Sequence, residues 1–501
     1  MMHTPSIKRS TLALLAAVAF SACTAGPRYQ PETVIAPSQQ LGAPRSSDST
    51  RHFFDSLAVE RARDTIVTLS PIRQRVALND ATVTSMAWMD IIHDSALVQL
   101  VGTALTQNRD LRVALARIDE YRADLRVARA PQLPSVTLNG SESANQVAFG
   151  STVLSYRAAR ATADLAWELD FWGRTRRNVE ASRADLGATE AAQRAAALSL
   201  VSDVATGYLQ LLELDQEHAI AERTLSSRKA TLEIARQRFS SGLTSELDVR
   251  QFEAQVAAPA VTLAQSQRQL AETEHNLNVL IGEAPAPIRR GLSLSDAVSV
   301  LSVPDSIPAT LLTRRPDVVQ AEREYAAAVA RIGVANAARF PTFSITGSYG
   351  GQTGSPQNLL ESQSRVYQAQ IGVSFPLFDN GKLAGLSAAA RARAEQARSA
   401  YEGVALNAMR EADDALAAVR TARDEALAQA TQANALRAAL DLATLRYQAG
   451  LSTYLDLLEA QRSLFGAELA VSQAQLSELT AAVRLYRALG GSWTGAVPVR
   501  R

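Results

Sequence analysis

Two hydrophobic periods divide this chain. In four segments apolar and polar residues alternate. Over residues 342–351, Phe343, Ile345 and Tyr349 are apolar while Thr342, Ser344, Thr346 and Ser348 are polar. Over 367–377, Tyr367, Ala369, Ile371, Val373, Phe375 and Leu377 stand against Gln368, Gln370 and Ser374. Earlier, Ala159, Ala161, Ala163, Leu165, Trp167 and Leu169 alternate with Arg160, Thr162, Asp164, Glu168 and Asp170, and Val136 and Leu138 with Ser135, Thr137 and Asn139. A period of two sends the two sets to opposite faces of a strand. The pattern predicts strands over about 134–149, 153–171, 341–351 and 365–378. A half-buried soluble sheet has the same period. A barrel wall is favoured by charge in mid-strand on the polar face, which a water-filled lumen tolerates. It is also favoured by Trp167, Phe171, Trp172, Phe375 and Phe378, which gather at strand ends like an interfacial girdle. Segments 142–152 and 352–364 are rich in Ser, Gly, Asn and Gln and read as exposed tips. Four strands cannot close a transmembrane barrel, for which about eight are needed. Either there is no barrel or several chains share one.

Most of the remaining chain has the period of a helix. From Arg174 to about Phe239 there is no proline and little glycine, enough residues for a helix of roughly 100 Å at about 1.5 Å each. After Ser240-Ser241-Gly242 a second helix returns to about Ile281, and the plan recurs from Lys382 to about Tyr447 and from Leu455 to Leu489. Leu455, Leu458, Phe465, Leu469, Leu476, Leu479, Val483 and Tyr486 give the last helix a heptad seam. The seam fits a lone coiled-coil hairpin or hairpins standing side by side in a helical tube.

The recurrence has a fixed offset. Arg238 to Val249 reappears as Arg446 to Leu457, and the glycines give 450 − 242 = 208 residues. Ile281-Gly282 matches Leu489-Gly490, Gly173-Arg174 matches Gly381-Lys382, and Asp110-Leu111 matches Asp317-Val318. Solenoid repeats have periods of about 20–50 residues, so this is a duplicated half-molecule. The halves are expected over 96–290 and 291–493, with a tail over 494–501.

The amino terminus reads as an export signal over 1–22: Lys8-Arg9, an apolar run from Leu12 to Phe20, then Ser21-Ala22. The apolar run is too short to span a bilayer. Cys23, the only cysteine in 501 residues, follows the small residues as in a bacterial lipobox, with Phe20 where that motif prefers leucine. The expectation is a lipidated segment over 23–95, although a plain signal peptide with an incidental cysteine gives a similar pattern. Thr24 is not the aspartate that resembles an inner-membrane retention signal. No later segment reads as a continuous apolar membrane helix. The formal charge of +1 provides no field for nucleic acid. Of the histidines, His3, His52, His93, His218 and His275, none lies three or four residues from another, so no helical metal pair exists. Asp413-Asp414 reads as a solvated helix face, and Arg174, Arg176 and Arg177 as a polar collar. No enzyme, metal or cofactor is expected.

The chain resembles the TolC-like outer-membrane factors, in particular the lipoprotein branch serving resistance–nodulation–division efflux systems, from about Cys23 to Trp493. The resemblance rests on Arg314-Arg315-Pro316-Asp317-Val318, on Trp167 through Arg174, on Tyr447-Gln448-Ala449-Gly450 followed by Tyr454 through Arg462, and on Leu485 through Trp493. The stretch from Ser46 to Leu78 looks longer than the family's usual segment. The resemblance implies a mixed α and β membrane protein: a homotrimer with a twelve-stranded β-barrel, four strands per chain, continued by a long α-helical barrel built from two structural repeats. Implied partners are outer-membrane lipid, a periplasmic adaptor and an inner-membrane efflux pump, with no nucleic acid. The channel is a passive exit duct in the cell outer membrane, reaching into the periplasm. The hairpin turns at Gly242 and Gly450 become its periplasmic mouth. Family acids at the positions of Asp456 and Glu459 narrow the aperture, and Tyr447 and Asp248 help to latch it. Leu455 begins the same return helix, and Arg462, three residues after Glu459, can pair with it. Helix-capping chemistry alone also accounts for acids in a first turn. A type I secretion conduit shares this fold. A periplasmic coiled-coil scaffold without a pore is the alternative from another class.

Overall fold

The structure is a computed structural model and describes residues 25–31, 34, 40–41, 94–150, 152–298 and 307–491. The signal segment, Cys23, residues 46–78 and the tail from 492 lie outside the described residues. The principal strands are β1 (Ser135–Phe149), β2 (Thr152–Leu169), β3 (Thr342–Thr353) and β4 (Arg365–Ser374). The principal helices are α1 (Ser95–Gln107), α2 (Arg109–Arg129), α3 (Arg174–Ser240), α4 (Glu246–Ile281), α5 (Pro316–Ala337), α6 (Lys382–Gln448) and α7 (Tyr454–Ala488). Both α3 and α6 have 67 residues, and their first residues are 382 − 174 = 208 apart. The starts of α4 and α7 keep that offset, 454 − 246 = 208.

The chain divides into two compact units. The first holds residues 115–192 and 319–404 with the described residues before 34. Its centre is an antiparallel sheet in the order β1-β2-β3-β4. Trp167 stands opposite Ile345, which stands opposite Ile371; Leu169, Phe343 and Val373 form the next row. On the other face Asp164 lies opposite Thr137 and Ser348, and Thr346 opposite Gln370. The register thus collects the apolar set of every strand on one face, since a slip of one residue would exchange the faces. That apolar face is uncovered within the chain: Leu138 is 85%, Tyr367 85% and Ile371 75% exposed. Within the described residues neither edge, β1 or β4, has a strand partner.

The elements depart from the sequence pattern at their ends. β4 stops at Ser374, not near 378, because Pro376 has no N–H for the ladder; Phe375 and Leu377 lie beyond the strand. β2 stops at Leu169, and Asp170 turns to accept the N–H groups of Thr175 (3.1 Å) and Arg176 (2.8 Å) at the start of α3. Segment 142–152 is mostly ladder, with pairing up to Phe149 opposite Thr152; its polar residues on both faces suit a strand with water on both sides. The aromatics at the strand bases pack together. Phe171 meets Phe343 edge-on at 4.8 Å, and Trp172 stacks on Phe340 at 4.7 Å. Arg174 pairs with Glu168 at 2.6 Å and Arg176 with Asp170 at 3.4 Å. Arg177 leaves the expected collar: it is buried and donates to the Gly26 carbonyl at 3.2 Å, tying the amino-terminal segment down.

The second unit holds residues 193–318 and 405–491 with the described residues of 34–114. Its main core joins Leu97 and Val101 of α1, Val204, Tyr208 and Leu211 of α3, Leu277 and Ile281 of α4, and Leu476, Leu479 and Val483 of α7. Each such side chain contributes about 1.5–3 kcal/mol when buried. Tyr208 donates to Asp94 at 2.6 Å and accepts from the Gly291 N–H at 2.9 Å, so the buried hydroxyl is satisfied. The apolar part of α3 is long enough by composition to cross a membrane, contrary to the sequence expectation. It is apolar because most of it, 61%, is packed inside the chain. The heptad seam of α7 is also corrected. Near its start the buried positions are Tyr454, Leu457, Leu464 and Ala467, while Leu455 is 60% exposed.

The motif around Arg315 has a structural role here. Arg315 is buried, grips Asp317 at 3.1 and 2.7 Å, reaches Glu411 of α6 at 2.6 Å and donates to the Ala488 carbonyl of α7 at 2.9 Å. Burial would raise the Asp317 carboxyl, but the bound Arg315 guanidinium holds it below the usual range. In the other half Asn108 donates to the Leu280 carbonyl at 2.9 Å, and 488 − 280 = 208. Two different side chains thus tie down the end of a return helix at corresponding places.

Candidate functional site at the helical hairpin turns

The two hairpin turns are built alike. Gly242 has φ 72° and Gly450 has φ 75°, in the left-handed region where a side chain is strained. Leu243 N–H donates to the Arg238 carbonyl and Leu451 N–H to the Arg446 carbonyl, each five residues back, at 2.9 and 2.8 Å. Gly242 and Gly450 donate to Phe239 and Tyr447. These are Schellman closures, which satisfy the last carbonyls of a helix.

The acids that follow are held by the chain's own turns. Asp248 accepts from Thr244 Oγ1 at 2.5 Å and from the Ser245 N–H at 3.1 Å, while its own N–H donates to Ser245 Oγ at 3.2 Å. The Thr244 hydroxyl, followed by the Ser245 contacts, holds the Asp248 carboxyl below its ordinary range. Asp456 accepts from the Thr453 N–H and hydroxyl, both at 3.2 Å. Both acids therefore do capping work. Glu459 has another environment: Arg462 pairs with it at 2.9 Å and Ser463 donates to it at 3.1 Å. The Glu459 and Arg462 side chains are 61% and 68% exposed, so the pair is worth at most about 1 kcal/mol.

Behind the turns lies a small core of Leu232, Ala235, Val249, Phe252, Tyr447, Tyr454 and Leu457. Tyr447 is buried, and the Arg238 guanidinium lies 4.9 Å from its ring centre. Phe252 meets Tyr454 edge-on at 4.3 Å. The Tyr454 hydroxyl is buried without a partner among the described residues. Burial, then the Asp248 charge and the Tyr447 phenol, push it up to about 12. Tyr447 and Tyr454 thus share one core, and the Asp248 charge acts on the Tyr454 hydroxyl. Sequence reasoning missed Tyr454, Phe252 and Arg238. Tyr454 stands in the sequence as the first residue of a resemblance motif, one residue before a leucine seam, and its burial depends on the shifted seam. Leu243, Leu247, Leu451 and Leu455 are 60–73% exposed around the turns.

Long paired helical hairpins and a sheet whose apolar face is bare define a membrane channel component rather than a soluble domain. The chain matches the outer membrane efflux protein family over residues 100–283 and 307–491. It is 34% identical over 420 residues to the toluene efflux pump outer membrane protein TtgC of Pseudomonas putida, covering 83% of this chain and 87% of that protein. It is 33% identical over 423 residues to the outer membrane protein OprJ of Pseudomonas aeruginosa, covering 82% and 88%. The outer-membrane channel OprN superposes with a TM-score of 0.81 at 29% identity, covering 94% of this chain and all of that one. This chain belongs to the outer membrane efflux protein family: it is an outer-membrane channel of an efflux system, a transport component of the cell outer membrane.

Proposed function

We propose that three copies of this chain form a passive exit duct: a twelve-stranded barrel joined to a helical tube, made from two repeated halves and shared with a periplasmic adaptor and an inner-membrane pump. The observation that carries this reading is the four-stranded sheet with two unpartnered edges and a bare apolar face. Unpaired edges are not viable in lipid, and three such sheets, edge to edge, satisfy every ladder. The exposed Leu455 beside the buried stripe of α7 suits a tube in which each helix has a second neighbour. In this reading the turns at Gly242 and Gly450 form the periplasmic mouth, Asp456 and Glu459 face its axis, and Tyr447, Asp248 and Arg462 help to keep it shut. The caps on Asp248 and Asp456 are compatible with that, because they fix both acids at the first turn of a return helix, and the Thr244 and Ser245 hydrogen bonds favour the charged form of Asp248.

Cys23 is proposed as the lipidated residue. Ala25, two residues later, donates to the Trp172 carbonyl at 3.0 Å, beside the aromatic cluster at the strand base. The test is purification from outer membranes followed by planar-bilayer recording. Heat-modifiable trimers with single-channel conductance are expected; monomers without conductance would sink the duct and favour the scaffold.

A further inference from the structure

We infer that Arg228 is a latch made necessary by Pro259, and that the first turns of α4 hinge at that proline when the latch lets go. The inference rests on the duct reading above.

Pro259 stands inside α4 and is buried. It has no N–H, so the carbonyl four residues back, Gln255, loses its intrahelical donor, and the proline ring presses on it. A half-buried carbonyl without a donor is costly. Arg228 of α3 supplies one, with its Nη1 2.8 Å from the Gln255 carbonyl. The same guanidinium reaches the Gln461 carbonyl of α7 at 3.5 Å and lies 5.2 Å from the centre of the Phe465 ring. One side chain therefore holds α3, α4 and α7 together at one level.

Among the described residues Arg228 donates to two carbonyls and lies against a ring, and it pairs with no carboxylate. Arg228 is 3% exposed, and its Nε has no partner among the described residues. A buried cation without a counter-charge is expensive. It is held here less firmly than an ion pair would hold it, which suits a contact that must break.

The second half of the chain serves as an internal control. At the offset of 208 residues, Pro259 corresponds to Ala467, Gln255 to Ser463 and Arg228 to Leu436. Where the proline is missing the arginine is missing too, because Ala467 has an N–H of its own. Pro259 lies 259 − 246 = 13 residues into α4, or about 20 Å along the helix. The segment before it carries the capping Asp248 and, from the small core behind the turns, Val249 and Phe252. A bend at Pro259 would carry those groups away from Tyr447 and Tyr454.

The experiment compares full-length wild type, Arg228→Met, Pro259→Ala and the double variant as single channels in planar bilayers. Arg228→Met is expected to raise conductance or open time several-fold. Pro259→Ala returns a donor to Gln255 and stiffens α4, so it should open less readily than wild type, with longer closed times. In that background Arg228→Met should have a much smaller effect. A wild-type record for Arg228→Met, or the same gain in both backgrounds, overturns the latch; a purely structural staple would lower trimer stability without this suppression. If Arg228→Met does not assemble, Pro259→Ala alone decides: longer closed times support the hinge, and unchanged gating overturns it. A wild-type trimer that never conducts overturns the duct reading and the latch with it.

Discussion

Ile371 and Gln370 are neighbours on β4 that point to opposite faces, and the proposed barrel requires them to respond differently to the same substitution. Phe375 lies four residues below Ile371 and Tyr367 four above, both with its parity along the chain. Eight residues at about 3.3 Å, tilted by about 40°, separate the two aromatics by roughly 20 Å along the membrane normal. That approaches the apolar band of about 25 Å found in such barrels and sets Ile371 near its middle. Ile371→Arg would then place a charge in hydrocarbon at about 2–4 kcal/mol per chain, or roughly 6–12 kcal/mol for three copies. Gln370→Arg would point to lumen water at little cost. The assay is the fraction of heat-modifiable trimer in isolated outer membranes. Ile371→Arg should abolish most of it and Gln370→Arg should leave most of it. Equal losses, or a larger loss from Gln370→Arg, would refute the assignment of faces.

Asp456→Ala with Glu459→Ala should lower cation selectivity and weaken block by multivalent cations in a bilayer; wild-type selectivity would leave Asp456 as a helix cap and Glu459 as an exposed ion pair, each worth about 1 kcal/mol at most. Arg315→Met should lower the stability of the solubilised trimer. A broken buried pair costs about 3–5 kcal/mol, but Asp317 and Glu411 are 42% and 45% exposed and regain water, so about 2 kcal/mol per chain is expected. Because the Asp317 carboxyl is depressed below 3.8, its contribution is present above that pH and lost as pH falls further; Arg315→Met should flatten the acid limb of the melting curve, and an unchanged limb would count against the pairing. Glu213 is buried beside Glu217 and pushed up to about 7 by burial first and that neighbour second. The folded chain then takes up a proton between about 4.5 and 7, so stability falls as pH rises through that window. Glu213→Gln should raise the melting temperature at pH above 7 and change little near pH 5, whereas equal effects at both would contradict the shift. Cys23→Ser should lose labelling by a fatty-acid probe, and retained labelling would exclude lipidation at that residue.

The alternation of Tyr367 to Val373 and the uninterrupted runs after Arg174 and Lys382 determined the strands, the long helices and their turns. Local steric and hydrogen-bonding rules suffice for these: side chains in a strand alternate, glycine alone relaxes at Gly242 and Gly450, and Ser245 and Thr453 meet acids three residues later. The offset of 208 residues was legible for the same reason, since equal local sequences make equal local structure. Tertiary structure decided the rest. β4 ends at Ser374 because Pro376 cannot donate to a partner, and a partner exists only in the sheet. The buried stripe of α7 begins at Tyr454 rather than Leu455 because α3, α4 and α6 set the angle at which it is met, and an apolar pattern broad enough for two neighbours does not say which comes first. Arg177 is buried because the segment at Gly26 covers it. Arg228 reads in sequence as one more helix arginine; only packing brings it to the carbonyl that Pro259, 31 residues later, leaves without a donor.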